Sequence, residues 1–332
     1  MDEIIPGVWI GDLASALNTD VLKQNKIQSI VSVMRGKLTI REISLNDEPE
    51  EDILQYLVPA IAFISREREK DRGVLVHCQA GISRSSAIVA AYLMYSEGLD
   101  TQGALDLIRK ARPNADPNEG FLSQLETFHQ ASFQVSRHDK AIRMYYLDRV
   151  MKDVMNGGGP VETEMFARHP DDPVPSKDPH LRKIRCKMCR QELATREHML
   201  DHGQMGPSSL VPVDPVPEPP PPQQGSSDTA AESSTSEPSL IIPGPPNVHK
   251  PRAQVMKPFI LSNPKCSGYF VEPMKWMESF LSQGQLSGKI VCPNKRCKAK
   301  LGNYDWAGVS CSCREWVVPG FCIHRSKVDE IE

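Results

Sequence analysis

Up to about residue 155, the chain alternates between two patterns of apolar and polar positions. Short apolar runs bounded by turn residues are typical of buried strands, and they occur at residues 5–11, 27–33, 42–45 and 74–76. Elsewhere apolar side chains recur at helical spacing, which predicts helices over residues 14–25, 52–69, 85–97, 103–111, 120–130 and 140–155. Strands that alternate with helices predict an α/β fold, with a central sheet flanked by helices.

The pattern changes beyond residue 155. Polar, proline-bearing sequence predicts a linker over residues 156–180, followed by a second domain over residues 181–332. A stretch at about 207–251 is rich in proline and serine, buries too little apolar surface to fold, and is expected to be a disordered insertion. Its proline run, residues 216–222, is expected to act as a spacer; a ligand for a proline-binding module is the alternative.

Composition narrows the class of protein. The 332 residues leave room for two domains, and a net charge of −3 argues against a generally basic nucleic-acid binder. Neither a leader pattern nor an apolar run of about 20 residues is present, so we expect no membrane association and a reducing compartment. Of nine cysteines, Cys78 stands alone and the others follow residue 185, which predicts one catalytic thiol plus metal ligands.

The candidate chemistry lies around Cys78. An apolar strand precedes it, small residues follow, and an Ala-rich helix is predicted next, so backbone N–H groups and a helix N-terminus converge on one point. Such a position lowers a thiol pKa from about 8.5 into a range of about 3.5–7.5. Arg84 can fork onto two oxygens of a tetrahedral anion. The pattern predicts phosphoester cleavage through a cysteinyl-phosphate; the alternative is a buried structural cysteine.

The run His77-Cys78-Gln79-Ala80-Gly81-Ile82-Ser83-Arg84-Ser85 resembles the HCxxGxxR[S/T] signature of the protein tyrosine phosphatase superfamily. Residues 46–47 and 116–121 resemble its dual-specificity branch, which implies a catalytic domain over residues 1–155. The resemblance implies that Cys78 is the nucleophile, that Arg84 binds the phosphoryl group and that Asp47 is the general acid. Asp52 is the competing acid.

The remaining loop residues are assigned to substrate binding or to support of the thiol. Ser85 is expected to hydrogen-bond the departing thiolate, to cap the following helix, or both. The substrate-binding set comprises Gln79, Ala80, Gly81, Ile82, Ser83 and Arg84. Since Arg84 is its only cation, a single phosphomonoester such as phosphotyrosine or phosphoserine/threonine is expected, with no cofactor for catalysis.

The later cysteines have the spacing of metal ligands. Cys186 and Cys189 form a C-x2-C pair, and His198 and His202 follow within reach. A four-thiolate zinc ribbon is predicted from Cys292, Cys297, Cys311 and Cys313. The alternative for both clusters is reduced cysteines in a small core.

Residues 266–277, 300–306 and 311–319 resemble the C-terminal zinc-binding domain of one subgroup of dual-specificity phosphatases, a subgroup linked to maturation of the large ribosomal subunit. The resemblance implies a small, zinc-stabilised, mostly β domain with two structural zinc ions. It groups the ligands as Cys186, Cys189, His202 and Cys266 in site one, and Cys292, Cys297, Cys311 and Cys313 in site two. His202 is preferred over His198, and Cys322 and His324 are left as non-ligands.

These assignments lead to two functional hypotheses. The first is a protein phosphatase, acting on a phosphoprotein in cytoplasm and nucleus, whose zinc domain serves ribosome biogenesis. The second is an assembly factor for a pre-ribosomal particle of protein and rRNA, in which catalysis is dispensable. Trp276, Trp306 and Trp316, with nearby lysines, are expected either to form a surface for that particle or to belong to the core. The sequence does not predict an oligomeric state.

Overall fold

The structure is a computed structural model that describes residues 1–34, 42–157, 161, 182–202, 263 and 265–331. The predicted insertion at 207–251 lies outside the described residues, as does most of the predicted linker at 156–180.

The N-terminal sheet has five strands. They are β1 (Asp2–Ile5), β2 (Val8–Gly11), β3 (Ile27–Val33), β4 (Glu42–Ile43) and β5 (Gly73–His77), in the spatial order β1-β2-β5-β3-β4. β1 is antiparallel to β2, and the other neighbours are parallel. The prediction of one strand over residues 5–11 was wrong, because Pro6-Gly7 turns the chain and Gly7 has a φ of +81°.

Seven helices surround this sheet in the described part of the chain. They are α1 (Leu13–Leu17), α2 (Thr19–Gln24), α3 (Leu54–Arg68), α4 (Arg84–Glu97), α5 (Thr101–Ala111), α6 (Glu119–Gln130) and α7 (Lys140–Met155). The single helix predicted over residues 14–25 is divided at Asn18, whose side chain accepts from the Val21 N–H at 3.2 Å and caps α2. The α/β prediction is confirmed. β5 and α4, both buried, place the Cys78 loop at the carboxyl edge of the sheet.

The C-terminal half is mostly β, as predicted. One sheet contains β6 (Lys183–Cys186), β7 (Glu192–Thr195) and β14 (Val328–Ile331). A second contains β8 (Gly268–Phe270), β9 (Ser287–Val291), β10 (Lys300–Asp305) and β13 (Cys322–His324). β11 (Val309–Ser310) pairs with β12 (Trp316–Val317), and α8 (Glu278–Leu281) is one short helix. These strands are short and antiparallel.

Helix α7 contacts both halves. Ile142 belongs to the N-terminal apolar core, whereas Leu147 and Val154 belong to the C-terminal one. Arg143 forms a bidentate ion pair with Glu272, with Nε–Oε2 at 2.7 Å and Nη2–Oε1 at 2.9 Å, and both side chains are only 1% exposed. α7 therefore contributes buried side chains to both halves. None of the described helices has the length and apolar character to cross a membrane.

Candidate active site and cysteine clusters

Cys78 lies directly after β5, at the mouth of the loop that leads into α4, and its side chain is buried. Its Sγ is 3.3 Å from Ser85 Oγ and accepts from the Gly81 N–H at 3.2 Å. Burial by itself raises the pKa of the Cys78 thiol, but the hydrogen bonds from Ser85 and Gly81 and the charge of Arg84 outweigh it. The net pKa lies below the ordinary value, which favours a thiolate nucleophile.

The loop after Cys78 turns its carbonyl groups outward. Four of them accept hydrogen bonds from other segments: Gln79 O from Leu13 N (3.3 Å), Ala80 O from Arg112 Nη2 (3.1 Å), Gly81 O from Arg112 Nε (2.7 Å) and Ile82 O from Asp116 N (3.0 Å). Because a trans peptide directs its N–H opposite to its C=O, each outward carbonyl leaves the next amide facing inward. The inward amides form a cradle for an anion.

Position 81 requires glycine for two structural reasons. Its φ is +70°, where side chains other than glycine are strained. A Cβ there would lie 2.5 Å from Arg112 Nη2 and 2.6 Å from Gly11 O. A side chain at this position would therefore collide with Arg112 and with the backbone of Gly11.

Arg84 is the first residue of α4 and extends across the loop towards β4. Its Nη1 donates to Leu45 O at 3.1 Å, and its Nε is 3.4 Å from Asp47 Oδ2. Asp47 also accepts from Ser83 Oγ at 2.5 Å and from Asn118 Nδ2 at 3.0 Å. The structure thus places Asp47 against the Cys78 loop.

Asp52, the competing acid, lies farther along the same segment. Its Oδ2 accepts a hydrogen bond from Tyr146 Oη of α7 at 3.1 Å. Gln124 of α6 fixes the backbone on both sides of Asp52, donating to Glu51 O at 2.9 Å and accepting from the N–H groups of Ile53 and Leu54. Asp47 therefore contacts the Cys78 loop, whereas Asp52 contacts α7.

His77 lies under the loop, away from the solvent. Its Nε2 is 2.7 Å from Ser32 Oγ of β3, and its Nδ1 is 3.3 Å from Cys78 O. Burial lowers the pKa of His77, which favours the neutral ring. In this position His77 connects β3 to the Cys78 loop.

The eight predicted metal ligands do come together, but not in the predicted partition. One group contains Cys186, Cys189, Cys292 and Cys297, and the other His202, Cys266, Cys311 and Cys313; within each, the donor atoms lie within 4.8 Å of one another. The sequence-based grouping joined consecutive pairs, whereas the structure interleaves them. Within the described part of the chain, His198, Cys322 and His324 belong to neither group.

Backbone contacts between distant segments produce this interleaving. Leu200 N donates to Phe270 O at 2.8 Å, which brings the His202 segment beside β8. Ser312 Oγ accepts from Ser267 N at 2.8 Å and donates to Lys265 O at 2.7 Å, which brings the 311–313 turn to Cys266. Sequence proximity sets the spacing inside the three cysteine pairs, whereas His202 and Cys266 lie 64 positions apart and meet through long-range contacts.

The local environment of both groups fits metal binding. Backbone N–H groups of Gln191, Asn294 and Ala299 point at the sulfurs of Cys189, Cys292 and Cys297 respectively. His202 directs Nδ1 to Leu200 O at 3.1 Å, so its Nε2 faces Cys266 Sγ at 3.3 Å. An anchored second ring nitrogen is the usual support of a ligating histidine. Four thiolates, or three with one imidazole, are the donor sets of structural zinc.

The three C-terminal tryptophans differ in exposure. Trp306 is buried in the C-terminal core, which is the second of the two alternatives expected from sequence. Trp276 is partly buried and donates its Nε1–H to Leu193 O at 2.9 Å. Trp316 is 62% exposed and remains available to a partner.

Sequence reasoning missed three residues that hold the segments around the active site in place. Arg112 and Gln124 had no local signal, because their partners lie about 30 and 70 positions away. Asn118 was included in the segment 116–121, but its contact with Asp47 was not foreseen.

A cysteine at the end of a buried parallel strand, under an inward-facing amide loop closed by an arginine, defines a cysteine-dependent phosphatase with the protein tyrosine phosphatase fold. Comparison with known families agrees. The family "Dual specificity phosphatase, catalytic domain" matches residues 8–131.

Relatives match along nearly the whole chain. "Dual specificity protein phosphatase 12" of Rattus norvegicus is 31% identical over 99% of this chain and 88% of its own length. The Homo sapiens protein of the same name is 30% identical over 100% of this chain and 89% of its own length. "Tyrosine-protein phosphatase YVH1" of Saccharomyces cerevisiae is 27% identical over 98% and 90%. The chain belongs to the dual specificity protein phosphatase family.

Proposed function

We propose that this enzyme hydrolyses phosphotyrosine and phosphoserine/threonine in proteins through a cysteinyl-phosphate. The observation that carries the proposal is the Cys78 thiol, which has a lowered pKa and lies inside a ring of inward amides. Arg84 adds the fixed cation beside it. A phosphate monoester dianion matches this arrangement of a nucleophile, amide donors and one cation.

The first step forms the phosphoenzyme. The Cys78 thiolate attacks phosphorus, an S–P bond forms, and the bond from phosphorus to the ester oxygen breaks. Asp47 gives its proton to the leaving oxygen, because an alkoxide or phenoxide leaves poorly without one. Arg84 and the loop amides stabilise the charge on the three remaining oxygens.

The second step releases phosphate. Asp47, now a carboxylate, takes a proton from water as the water oxygen attacks phosphorus. The S–P bond breaks and the electron pair returns to Cys78 Sγ, which Ser85 Oγ at 3.3 Å stabilises by a hydrogen bond. The enzyme regains its thiolate with no cofactor consumed.

The loop composition bears on the substrate. Residues 79–83 contain no lysine or arginine, so Arg84 is the only cation that the loop itself supplies. Substrates with several clustered phosphates are better bound by several cations. We therefore propose a single phosphomonoester on a protein side chain.

The test is turnover of p-nitrophenyl phosphate by the full chain. Cys78→Ser is expected to lower kcat/KM about 10,000-fold or more, because the nucleophile is lost. Its thermal transition is expected to stay unchanged. Cys322→Ser is the matched control, since Cys322 belongs to neither cysteine cluster nor the Cys78 loop, and it is expected to keep full turnover. Undiminished activity in Cys78→Ser would contradict the proposal.

The choice of general acid is tested separately. Asp47→Asn is expected to lower kcat about 100-fold or more, whereas Asp52→Asn is expected to have a much smaller effect. The difference should shrink with a substrate whose leaving group needs no proton, such as a strongly acidic phenol ester. If Asp52→Asn has the larger effect, the two assignments are exchanged.

We also propose that the two cysteine groups each hold one structural zinc ion. Zinc would supply folding energy to the C-terminal half and take no part in the reaction. The purified full chain is expected to contain close to two zinc ions. Cys189→Ser is expected to lose one of them, and an unaltered zinc content in that variant would contradict the assignment of Cys189 as a ligand.

A third proposal concerns the cellular role. The resemblance of the C-terminal half to the zinc domain of the ribosome-linked subgroup supports action on a pre-ribosomal particle in nucleus and cytoplasm. The exposed Trp316 supports a contact surface there. The alternative is an assembly factor in which phosphatase activity is dispensable.

Cells that lack the gene distinguish these roles. Wild-type protein is expected to restore the level of large ribosomal subunits, and full-length Cys189→Ser is expected to fail. If Cys78→Ser restores that level fully, the alternative is correct. If Cys189→Ser also restores it, the zinc domain has no part in ribosome production.

A further inference from the structure

Arg112 lies just after the C-terminal end of α5, outside the phosphate cradle, and its side chain is only 10% exposed. Its guanidinium uses three nitrogens: Nε donates to Gly81 O at 2.7 Å, Nη2 to Ala80 O at 3.1 Å, and Nη1 to Asp2 Oδ2 at 2.5 Å. We propose that Arg112, oriented by Asp2, is a positioning residue that holds two peptide groups of the Cys78 loop with their amides turned toward the substrate.

The geometry explains why these two peptides need support. Gly81 lies between them with a φ of +70°, and glycine permits a wider range of backbone angles than other residues. A rotation of either peptide group would turn a carbonyl oxygen toward Cys78 Sγ and the phosphate. The fork of Arg112 binds both carbonyls from outside, so either rotation would break a charge-assisted hydrogen bond.

One contact inside the loop shows the consequence. The Ala80 carbonyl and the Gly81 N–H belong to one peptide group, so the hydrogen bond from Arg112 to Ala80 O fixes the direction of that N–H. The same N–H donates to Cys78 Sγ at 3.2 Å. Arg112 thus acts on the thiolate through a peptide group, without touching it.

Asp2 gives Arg112 its orientation. Asp2 is the first residue of β1 at the edge of the sheet, and its carboxylate holds the third guanidinium nitrogen. The pair connects the start of the chain to a loop about 80 positions later. Loss of the carboxylate should weaken the two hydrogen bonds from the Arg112 guanidinium to the loop carbonyls without abolishing them.

The inference rests on the proposed function, and its test uses the full chain with p-nitrophenyl phosphate and orthovanadate. Arg112→Gln is expected to lower kcat/KM about 10- to 100-fold, because two hydrogen bonds from a charged donor are lost. The inhibition constant of vanadate should rise by a similar factor. The pH midpoint for inactivation by iodoacetate should move upward, since the thiolate loses a properly aimed donor.

Three other variants separate geometry from charge and from stability. Arg112→Lys keeps the charge but lacks the fork, so it should recover only part of the loss. Asp2→Asn should show a smaller effect in the same direction. Lys110→Gln is the matched control, because it removes a cation that is exposed on the same helix, α5. It should stay within about twofold of wild type.

Each result has a defined meaning. Wild-type vanadate inhibition and kcat/KM in Arg112→Gln would overturn the inference, and so would full recovery in Arg112→Lys, because charge alone would then suffice. If Arg112→Gln does not fold, Asp2→Asn decides: an unaltered vanadate constant there overturns the inference. If the wild-type enzyme does not turn over the ester, the proposed function fails instead.

Discussion

The two halves of this protein become ordered in different ways. In the N-terminal half, a five-stranded sheet and α4 bury a continuous apolar core, and Cys78 lies at its edge. In the C-terminal half, strands as short as two residues are joined by cysteine pairs, and several of those cysteines are part of the buried core. The catalytic half therefore depends on apolar burial, whereas the proposed zinc ions would carry much of the order of the other half.

The interleaved ligands sharpen this contrast. Each group joins an earlier pair of ligands to a later one. Cys186 and Cys189 meet Cys292 and Cys297, and His202 and Cys266 meet Cys311 and Cys313. Removal of either ion would release two distant turns together. Consecutive grouping would have placed each ion within one stretch of the chain, residues 186–266 or residues 292–313.

The largest expected effect comes from metal removal. A strong chelator, or Cys189→Ser, should unfold the C-terminal half because its ligands lose their shared ion. Trp306 is buried there, so tryptophan emission should shift to longer wavelength. Turnover of p-nitrophenyl phosphate should stay within a few-fold of its starting value. Cys322→Ser serves as the control with normal zinc content. If the emission does not shift after complete zinc removal, the C-terminal half does not depend on zinc for its order.

The next effect concerns the ion pair that joins the halves. Arg143→Ala leaves Glu272 buried without its cation and should destabilise the C-terminal unfolding transition by about 3–5 kcal/mol. Replacing both residues together with apolar ones, Arg143→Met with Glu272→Leu, should cost much less. Urea unfolding followed by tryptophan emission measures both.

Helix α7 also offers a matched control for that experiment. Lys152 and Asp148 form an exposed pair at 2.8 Å on α7, with side chains 69% and 52% exposed. Lys152→Ala should cost at most about 1 kcal/mol, as expected of surface pairs. If Arg143→Ala lowers the free energy of unfolding no more than Lys152→Ala does, the ion pair on α7 does not stabilise the C-terminal half.

The smallest effect lies inside the catalytic loop. Ser85 is one of the groups that lower the pKa of Cys78, so Ser85→Ala should raise that pKa. Thiolate is present above the pKa and lost as pH falls through it. The acidic limb of the kcat/KM profile should therefore move to higher pH. Well above the Cys78 pKa of both the wild type and the variant, kcat/KM should change less.

Ser86→Ala is the control for that pH profile, because Ser86 is the next residue of α4 and equally buried. Its acidic limb should coincide with that of the wild type. An unmoved limb in Ser85→Ala would show that the other donors set the thiol pKa without Ser85.

The sequence predicted the structural features that are determined by residues close together in the chain. The strands around Val74 and Ile27, the helix after Arg84 and the Cys78 loop all follow from local patterns. The interpretation failed where partners are distant. Arg112 and Gln124 act on loops far from them in sequence, and the pairing of cysteine turns depends on contacts such as that of Leu200 with Phe270.

The ion pair between Arg143 and Glu272 has a consequence for cutting this chain in two. A piece that stops at residue 155 would carry α7 with its apolar stripe, including Leu147 and Val154, exposed to water. A piece that starts at residue 181 would keep Glu272 in an apolar interior without its cation. Cleavage between the halves by a protease would therefore expose the apolar stripe of α7 on the first product and leave Glu272 unpaired in the second. Glu272 keeps its partner only if the C-terminal product begins before Lys140 and so includes the whole helix.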